Sequence, residues 1–349
     1  MPNPRHIVVI RFSAMGDVAM AVPVIKAVLQ QYPHVVITVV SNAFFEPLFK
    51  NIDRCNFYPA YTKGIHKGIA GIWKLYKALK NEQDFDAVAD LHNVLRSNLL
   101  RKFFSLSAVR NAVIDKGRSD KKKLTAKKNK VLKQLPTSHE RYAAVFATLG
   151  LPVNLQSNDL LKVKENIPPA TASFILPQKK LIGVAPFAQH KEKMYPLHMM
   201  QLILLHLGKR DDVQLLYFGA PGDEAAMLEE WVKEIPSSFN IAGSISFADE
   251  LHLISNLSLM ISMDSANMHL ASMYGVPVVS IWGATHPFAG FYGFNQDPAN
   301  IVQADLYCRP CSVFGNKPCY RGDLACMQMI STEMLIQKIE RILQSSILI

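Results

Sequence analysis

Runs of β-forming residues alternate with amphipathic helical stretches along this chain, and the alternation occurs twice. In the first series, strands are predicted over residues 6–12, 35–40, 87–91 and 108–114. The accompanying helices are predicted over residues 17–31, 44–50, 69–80, 95–104 and 139–149. The second series has strands over 180–185, 213–218, 257–263 and 278–282, helices over 197–207 and 223–234, and a helix from Ala266. Such alternation favours parallel strands whose faces are covered by helices.

A proline-marked passage separates the two series and is the predicted interdomain linker. It holds Pro168, Pro169 and Pro177. A length of 349 residues also corresponds to roughly two domains of about 150 residues each. We therefore predict an α/β protein with two doubly wound Rossmann-like domains that face a central cleft. The expected domains cover residues 1–170 and 178–330, and a C-terminal packing helix covers 331–349.

Composition and simple motifs exclude several classes of protein. Apolar residues make up 49% of the chain and charged residues 19%, as in an ordinary globular protein, and five cysteines are too few for a disulfide scaffold. No apolar run approaches the roughly 20 residues of a membrane span, and Arg11 interrupts the first apolar run, so we expect a cytoplasmic protein. Neither G-x-G-x-x-G nor G-x-x-x-x-G-K-[ST] occurs, which disfavours a nicotinamide enzyme and a Walker-type nucleotidase.

A polar turn follows the first predicted strand and leads directly into a helix. It reads Arg11-Phe12-Ser13-Ala14-Met15-Gly16-Asp17. Ligands of doubly wound sheets collect beyond the carboxyl ends of the strands, where these residues lie. The alternative is structural, because a serine or an aspartate beside a helix start is often a cap or a partner of the helix dipole.

Two segments of the second half have the same placement. Asp264-Ser265-Ala266-Asn267-Met268-His269 joins a strand to a helix, whose free N–H groups would suit a phosphate. Asp264 would repel a phosphate unless it binds a sugar hydroxyl or orients His269. Lys193 precedes another helix and is able to reach a diphosphate. The alternatives are a capped helix with a packed histidine, and a merely solvated lysine.

Taken together, these segments resemble glycosyltransferase family 9, the family of the lipopolysaccharide-core heptosyltransferases. The resemblance lies in R-x-S-x-x-G-D at residues 11–17, K-x-[WY]-P at 193–196, D-[ST]-x-x-x-H at 264–269, and P-x-x-x-x-[WF]-G-x-T at 277–285. Residues 90–97 are similar to a further segment of the family, although a strand followed by a capped helix explains them as well. The resemblance implies the two-domain GT-B fold, with the acceptor on the N-terminal domain and the nucleotide-sugar on the C-terminal domain.

The same resemblance implies roles for particular residues. Asp17 is the candidate catalytic base, and we expect it to be ionised beside a helix N-terminus. The expected donor-binding residues are Lys193, Asp264, Ser265, Ala266, His269 and Thr285. The expected acceptor-binding residues are Arg11, Ser13, Gly16, His92 and Arg96. The charge of the basic run described below adds Lys121, Lys122 and Lys123 to them. Ala266 departs from the family, in which a glycine is common at this position, so the backbone is expected to approach the diphosphate less closely.

The charge of the leaving diphosphate is expected to be neutralised without a metal ion. Lys193 supplies one positive charge and the helix near Ser265 supplies N–H donors, so no metal and no cofactor are expected. Removal of Lys193 is expected to impair transfer without unfolding the protein.

The positive charge of the chain is concentrated in one segment. Of the 38 lysines and arginines, ten lie in residues 110–133 against two aspartates, a local charge of 10 − 2 = +8, whereas the whole chain has 38 − 28 = +10. We interpret this run as a surface for an anionic glycolipid acceptor and for peripheral contact with the inner membrane face. A solvated loop is the alternative. Nucleic acid is not expected, because no recognition motif accompanies the charges.

Four of the five cysteines form C-x2-C-x7-C-x6-C. They are Cys308, Cys311, Cys319 and Cys326. Only the first pair has a usual zinc-ligand spacing, so we expect thiols, with a structural zinc as the alternative.

These observations lead to one functional hypothesis and two alternatives. The hypothesis is an inverting, metal-independent glycosyltransferase that moves a heptose-like sugar from a nucleotide-diphosphate sugar, ADP-heptose, to a lipopolysaccharide inner-core acceptor. The alternatives are a nucleotide-sugar epimerase of the same fold and a non-catalytic protein that binds an anionic polymer.

Overall fold

The computed structural model describes residues 3–345, which divide into two compact units. The first unit comprises Met1–Gly117 and Pro136–Leu160. The second comprises Arg118–Leu135 and Leu161–Ile349.

The first unit is built on a five-stranded sheet in which every pairing is parallel, with strand order β3-β2-β1-β4-β5. Its strands are β1 His6–Ile10, β2 Val36–Ser41, β3 Cys55–Pro59, β4 Ala87–Asp90 and β5 Arg110–Val113. Its helices are α1 Met15–Ala19, α2 Ala21–Gln31, α3 Gly68–Glu82, α4 Leu95–Leu106 and α6 Ser138–Thr148. The central strand β1 is apolar at four successive positions and fully buried there, as expected for a strand covered on both faces.

The second unit repeats this arrangement with six parallel strands in the order β11-β10-β9-β6-β7-β8. Its strands are β6 Lys180–Ala185, β7 Val213–Tyr217, β8 Ser238–Asn240, β9 Leu259–Met263, β10 Val278–Trp282 and β11 Ile301–Gln303. Its helices are α5 Arg118–Leu124, α7 Pro169–Ala172, α8 Leu197–Gly208, α9 Asp223–Glu234, α10 Phe247–Ser255, α11 Ala266–Ser272, α12 Ala325–Gln328 and α13 Thr332–Ser345.

The predicted fold class is confirmed, and the local differences have simple causes. The helix expected over 17–31 is interrupted at Met20, between α1 and α2. The helix expected over 44–50 is a short 3₁₀ helix, because Pro47 lies inside it and lacks the N–H that an α-helix needs. The strands β3, β8 and β11 were not predicted, since they are short strands toward the sheet edges, with polar residues in their sequences.

The boundaries of the two units differ from the expected 1–170 and 178–330. Residues 118–135 belong to the second unit, where Leu124 is buried and the Leu135 N–H donates to the Phe288 carbonyl at 2.9 Å. Charge counting gave no indication of these contacts. The packing helix expected over 331–349 is α13, whose Leu335 and Ile339 lie in the core of the second unit. Residues 346–349 lie outside the described part of the chain.

Within residues 3–345, we find no helix that is both long and apolar enough to cross a membrane.

The burial of the Glu250 carboxyl group on α10 can be tested through the pH dependence of stability. Burial raises its pKa to about 7 from 4.5. The folded state therefore holds this proton more tightly than the unfolded chain, and the stability so gained is complete below pH 4.5 and lost as the pH rises to about 7. We expect Glu250→Gln to stabilise the protein at pH 8 by on the order of 1–3 kcal/mol, with little effect at pH 4. Denaturant unfolding at both pH values measures this. The exposed Glu46→Gln is the control, and equal effects at the two pH values would contradict the prediction.

Candidate active site

The turn after β1 holds a buried arginine against a partly exposed carboxylate. The Arg11 guanidinium forms an ion pair with Asp17 on α1 and donates to the Leu91 carbonyl at 2.8 Å. The Arg11 side chain is 7% exposed and that of Asp17 is 33% exposed. The Tyr142 hydroxyl donates to the backbone carbonyl of Asp17 at 3.2 Å and so braces α1. The arginine thus fixes a carboxylate that stays accessible at the carboxyl edge of the sheet.

The loop after β4 lies beside this pair and is organised by Asp90. The fully buried carboxylate of Asp90 accepts the N–H groups of His92 and Asn93 at 2.9 and 2.8 Å. His92 in turn accepts the Phe12 N–H on Nδ1 at 3.3 Å. Burial, with the nearby Arg11 charge, lowers the pKa of His92 to about 3, so the ring is neutral at physiological pH. It therefore offers a hydrogen-bond donor rather than a charge to an anionic ligand.

The structure brings most of the predicted acceptor residues of the first unit together. Arg11, Asp17 and Arg96 all act electrostatically on His92, and Lys116, which was not predicted, does so too. Ser13 and Arg96 are exposed and Gly16 is half-buried. All lie on segments that follow β1, β4 or β5, which are neighbouring strands.

In the second unit, Lys193 and Asp264 form a buried ion pair. Lys193 Nζ lies 2.9 Å from Asp264 Oδ2, and the two side chains are 15% and 7% exposed. Lys193 follows β6 and Asp264 follows β9, which are adjacent strands. This pair was not predicted, because the two residues lie far apart in the sequence. Asp264 was expected to repel a phosphate, and the ion pair with Lys193 offsets its negative charge.

Two further contacts hold Lys193 in place. The Tyr195 hydroxyl donates to the Ile330 carbonyl at 2.8 Å and is buried, so the aromatic residue of K-x-[WY]-P is an anchor for the segment. Gly315 has a positive φ of 74° and lies so close to the Lys193 stem that no Cβ would fit.

The segment after β9 departs in part from its expected role. Its helix α11 begins at Ala266 as predicted, but it has only seven residues, and Ser265 makes no side-chain cap. The Ser265 hydroxyl instead hydrogen-bonds the Ser262 hydroxyl at 3.0 Å. Ser265 and Ala266 are half-buried, and His269 is buried one turn further along. The capping alternative is therefore wrong for Ser265.

The segment after β10 contributes Thr285. This residue is 1% exposed, and within residues 3–345 its hydroxyl has no hydrogen-bond partner. Arg309 holds the surrounding loop, since its guanidinium donates to the carbonyls of Gly283 at 2.6 Å and Thr285 at 3.1 Å. The Ala284 N–H donates to the Glu192 carbonyl at 3.2 Å, which joins this loop to the Lys193 segment.

Sequence reasoning missed Arg309 and Gly315 as supporting residues of this site. Both lie in the cysteine segment, in which only the cysteines were considered as functional residues. The one usable signal was the glycine, which marks a turn, but nothing local showed that this turn lies against a lysine more than a hundred residues earlier.

The basic run is less free than its charge suggested. Lys121 is 8% exposed and its Nζ lies 4.1 Å from the centre of the Phe291 ring. Lys130 donates to three backbone carbonyls, including that of Cys308 at 2.8 Å. These lysines secure residues 118–135 to the second unit, so the alternative of a solvated loop is wrong for this part of the run. The acceptor role of Lys121, Lys122 and Lys123 stays a prediction. Lys122 and Lys123 are exposed, whereas Lys121 is buried.

The four cysteines of the C-x2-C-x7-C-x6-C segment line one small cavity and are free thiols. Burial raises the pKa of Cys311, and it raises that of Cys326 to about 11. Within residues 3–345, no group of three or more His, Cys, Asp or Glu side chains is arranged to hold a metal ion.

Comparison with known proteins identifies the family of this chain. Residues 72–318 match the profile of glycosyltransferase family 9 (heptosyltransferase). The chain belongs to glycosyltransferase family 9. The lipopolysaccharide core heptosyltransferase OpsX of Haemophilus influenzae is 22% identical over 287 residues, which cover 81% of this chain and 80% of that protein.

Solved structures of family members share the fold of this glycosyltransferase. The glycosyl transferase family 9 protein of Veillonella parvula has a TM-score of 0.77 at 20% identity, covering 98% of both chains. The ADP-heptose lipopolysaccharide heptosyltransferase II of E. coli has a TM-score of 0.71 at 18% identity, covering 98% of this chain and 99% of that one. The predicted GT-B fold class is confirmed.

The buried Lys193–Asp264 pair of this glycosyltransferase predicts a strong coupling in stability. Lys193→Met leaves the buried carboxylate of Asp264 without its cation and should cost about 3–5 kcal/mol, whereas Asp264→Asn leaves the half-buried ammonium of Lys193 and should cost less. The double variant should be destabilised by less than the sum of the two. Denaturant unfolding of all three variants measures the coupling. The exposed Lys191→Met is the matched control, and simple additivity would contradict the pairing.

Proposed function

We propose that this family 9 enzyme transfers heptose from ADP-heptose to the inner core of lipopolysaccharide, with inversion at the anomeric carbon and without a metal ion. Membership of the heptosyltransferase family supports the reaction type. The printed names of the Haemophilus relative and the E. coli structure support the acceptor class and the donor respectively.

The observation that carries the proposal is the convergence of Lys193, Asp264 and Thr285. They follow β6, β9 and β10, three adjacent parallel strands, so their segments meet at one edge of the second sheet. An ammonium group has three N–H donors, and the contact with Asp264 leaves others for phosphate oxygens. The buried Thr285 hydroxyl is a further donor in the loop next to this pair. We assign the donor diphosphate to this edge.

On the acceptor side, we assign the general base to Asp17. Its carboxylate takes the proton of the acceptor hydroxyl, and the oxygen then attacks the anomeric carbon of the donor. The bond from that carbon to the diphosphate oxygen breaks, and its electron pair leaves with ADP. Attack from the face opposite the leaving group inverts the configuration. Arg11 acts by holding Asp17, and the neutral His92 is able to donate a hydrogen bond to the acceptor.

Charge neutralisation in the proposed reaction comes from the protein itself. Lys193 lies on the donor edge, and a cation fixed where charge develops is commonly worth several kcal/mol in the transition state. Asp264 keeps this ammonium in position before the donor arrives.

The acceptor is anionic and anchored in lipid, and we place the enzyme at the cytoplasmic membrane face. Arg96 on the first unit is an exposed cation that suits such an acceptor. Peripheral association is then an advantage, because the acceptor is confined to that surface.

A transfer assay separates this function from its alternatives. We expect a glycosylated acceptor and ADP in equal amounts from ADP-heptose and a truncated core acceptor, with the rate unchanged by EDTA. NMR of the product gives the anomeric configuration, and inversion is expected. Release of an altered sugar without acceptor would indicate an epimerase. Absence of turnover, with retained polyanion binding, would indicate a non-catalytic protein.

Removing the base should slow the chemical step while leaving donor binding intact. We expect Asp17→Asn to reduce kcat by about 10² to 10⁴, with little change in the KM for ADP-heptose. Steady-state kinetics at saturating acceptor measure both constants. Asp84→Asn, at an exposed carboxylate, is the matched control. Wild-type kcat in Asp17→Asn would exclude this residue as the base.

A further inference from the structure

We propose that an apolar patch rimmed by lysines on the first unit attaches the enzyme to the surface of an anionic lipid bilayer. This membrane patch is defined by Tyr61, Ile65, Ile69, Trp73, Lys63, Lys67, Lys74 and Lys77. The inference deepens the proposed function by naming the surface that meets the membrane, but it is tested without donor or acceptor.

The apolar members of the patch are unusually exposed for their size. The exposed fractions are 48% for Tyr61, 67% for Ile65, 72% for Ile69 and 40% for Trp73. Single exposed apolar residues are normal on a protein surface, but these four fall within a stretch of thirteen residues, 61–73. Ile69 and Trp73 are four residues apart on α3 and so lie on the same face of the helix. A local concentration of this kind indicates a contact surface.

The charges around these residues are all positive. Residues 54–81 contain six lysines and arginines and no aspartate or glutamate. All four lysines of the membrane patch are exposed, and none of them forms an ion pair within residues 3–345. Lys77 Nζ lies 5.7 Å from the centre of the Trp73 ring. Lysines with apolar stems beside aromatic and aliphatic side chains suit the headgroup region of an anionic bilayer.

The backbone beneath the patch is held by hydrogen bonds in the turn that precedes α3. The turn before α3 closes through Gly64 and His66, whose N–H groups donate to the Tyr61 carbonyl at 2.9 and 3.1 Å. The buried His66 ring accepts the Tyr61 N–H at 3.1 Å, and burial lowers the pKa of this histidine. Gly71 lies so close to the His66 backbone that no Cβ would fit.

The indole ring of Trp73 is also fixed, because it packs against the rings of Phe103 and Tyr76. The distances between ring centres are 4.9 Å and 5.1 Å respectively. The part of the indole that remains exposed therefore faces outward in a defined position. An anchored tryptophan with adjacent lysines is typical of surfaces that lie in a membrane interface rather than span the membrane.

This surface differs from the one that charge counting indicated. Part of the basic run at 110–133 is engaged in holding residues 118–135, through Lys121 and Lys130. The lysines of the membrane patch form no ion pair within the described residues, and Lys77 contacts the Trp73 ring of the same patch. Apolar residues lie among them. The membrane patch is therefore better suited to bind lipid by charge and insertion together.

Vesicle flotation of the full-length protein tests the proposal. We expect the wild type to bind vesicles of phosphatidylcholine with phosphatidylglycerol, and to bind pure phosphatidylcholine much more weakly. Ile65→Asp/Ile69→Asp should reduce the apparent affinity for anionic vesicles at least about tenfold. Lys67→Gln/Lys74→Gln should reduce it severalfold and flatten its dependence on salt. These positions are exposed, and circular dichroism checks that the variants are folded.

Matched controls are available in the second unit. Leu202→Asp changes a leucine that is 57% exposed on α8, and Lys164→Gln/Lys209→Gln removes two exposed lysines. Both controls should bind vesicles like the wild type. Equal loss in the controls would show that binding depends only on net charge or hydrophobicity, and would overturn the assignment.

Two other outcomes overturn the proposal, and turnover separates it from the proposed function. It is wrong if the wild type does not bind anionic vesicles, or if the patch variants bind as well as the wild type. It is also wrong if light scattering shows a dimer that Ile65→Asp/Ile69→Asp dissociates, since a second copy would then cover the patch.

The patch variants should retain wild-type turnover on a water-soluble acceptor saccharide. Absence of turnover in every protein, with vesicle binding as predicted, would reject only the function.

Discussion

Parallel strand pairing determines where the chemistry of this chain lies. In both sheets every pairing is parallel, so all strands of a sheet end at one edge, and the segments that follow neighbouring strands meet there. In the first unit this brings Arg11 and Asp17 beside His92. In the second it brings Lys193 to Asp264. Reversal of one of these strands would carry the residues that follow it to the opposite edge of its sheet, away from the rest of the cluster.

Each unit contains an ion pair between a well-buried side chain and a partner that remains partly accessible. Arg11 is the more buried partner in the first pair, and Asp264 is the more buried partner in the second. Placing these charges away from water costs free energy, which the oppositely charged partner offsets, together with the hydrogen bond from Arg11 to the Leu91 carbonyl. In the proposed reaction the accessible partner does the work in both cases, as base in the first unit and as diphosphate-binding cation in the second.

Much of the fold was predictable because local patterns are sufficient to indicate it. Apolar runs and amphipathic stretches gave most of the central strands and helices, and the carboxyl-edge rule indicated which turns to examine. The partner of Lys193 was not predictable, because nothing near residue 193 points to residue 264. The contacts made by the basic run were not predictable for the same reason. Lys121 meets an aromatic ring and Lys130 meets carbonyl oxygens, both on segments far away in the sequence.

The assignment of residues 118–135 to the second unit has a consequence for how such a protein tolerates recombination. The chain passes from one unit to the other after residues 117, 135 and 160. A chimaera of two relatives made with one crossover at residue 160 would therefore join a foreign 118–135 segment to the native ring of Phe291 and the native carbonyl of Cys308. Exchange of a whole unit needs three crossovers. A homologue that acquires its C-terminal half by a single crossover should therefore carry mismatched contacts between residues 118–135 and the rest of the second unit.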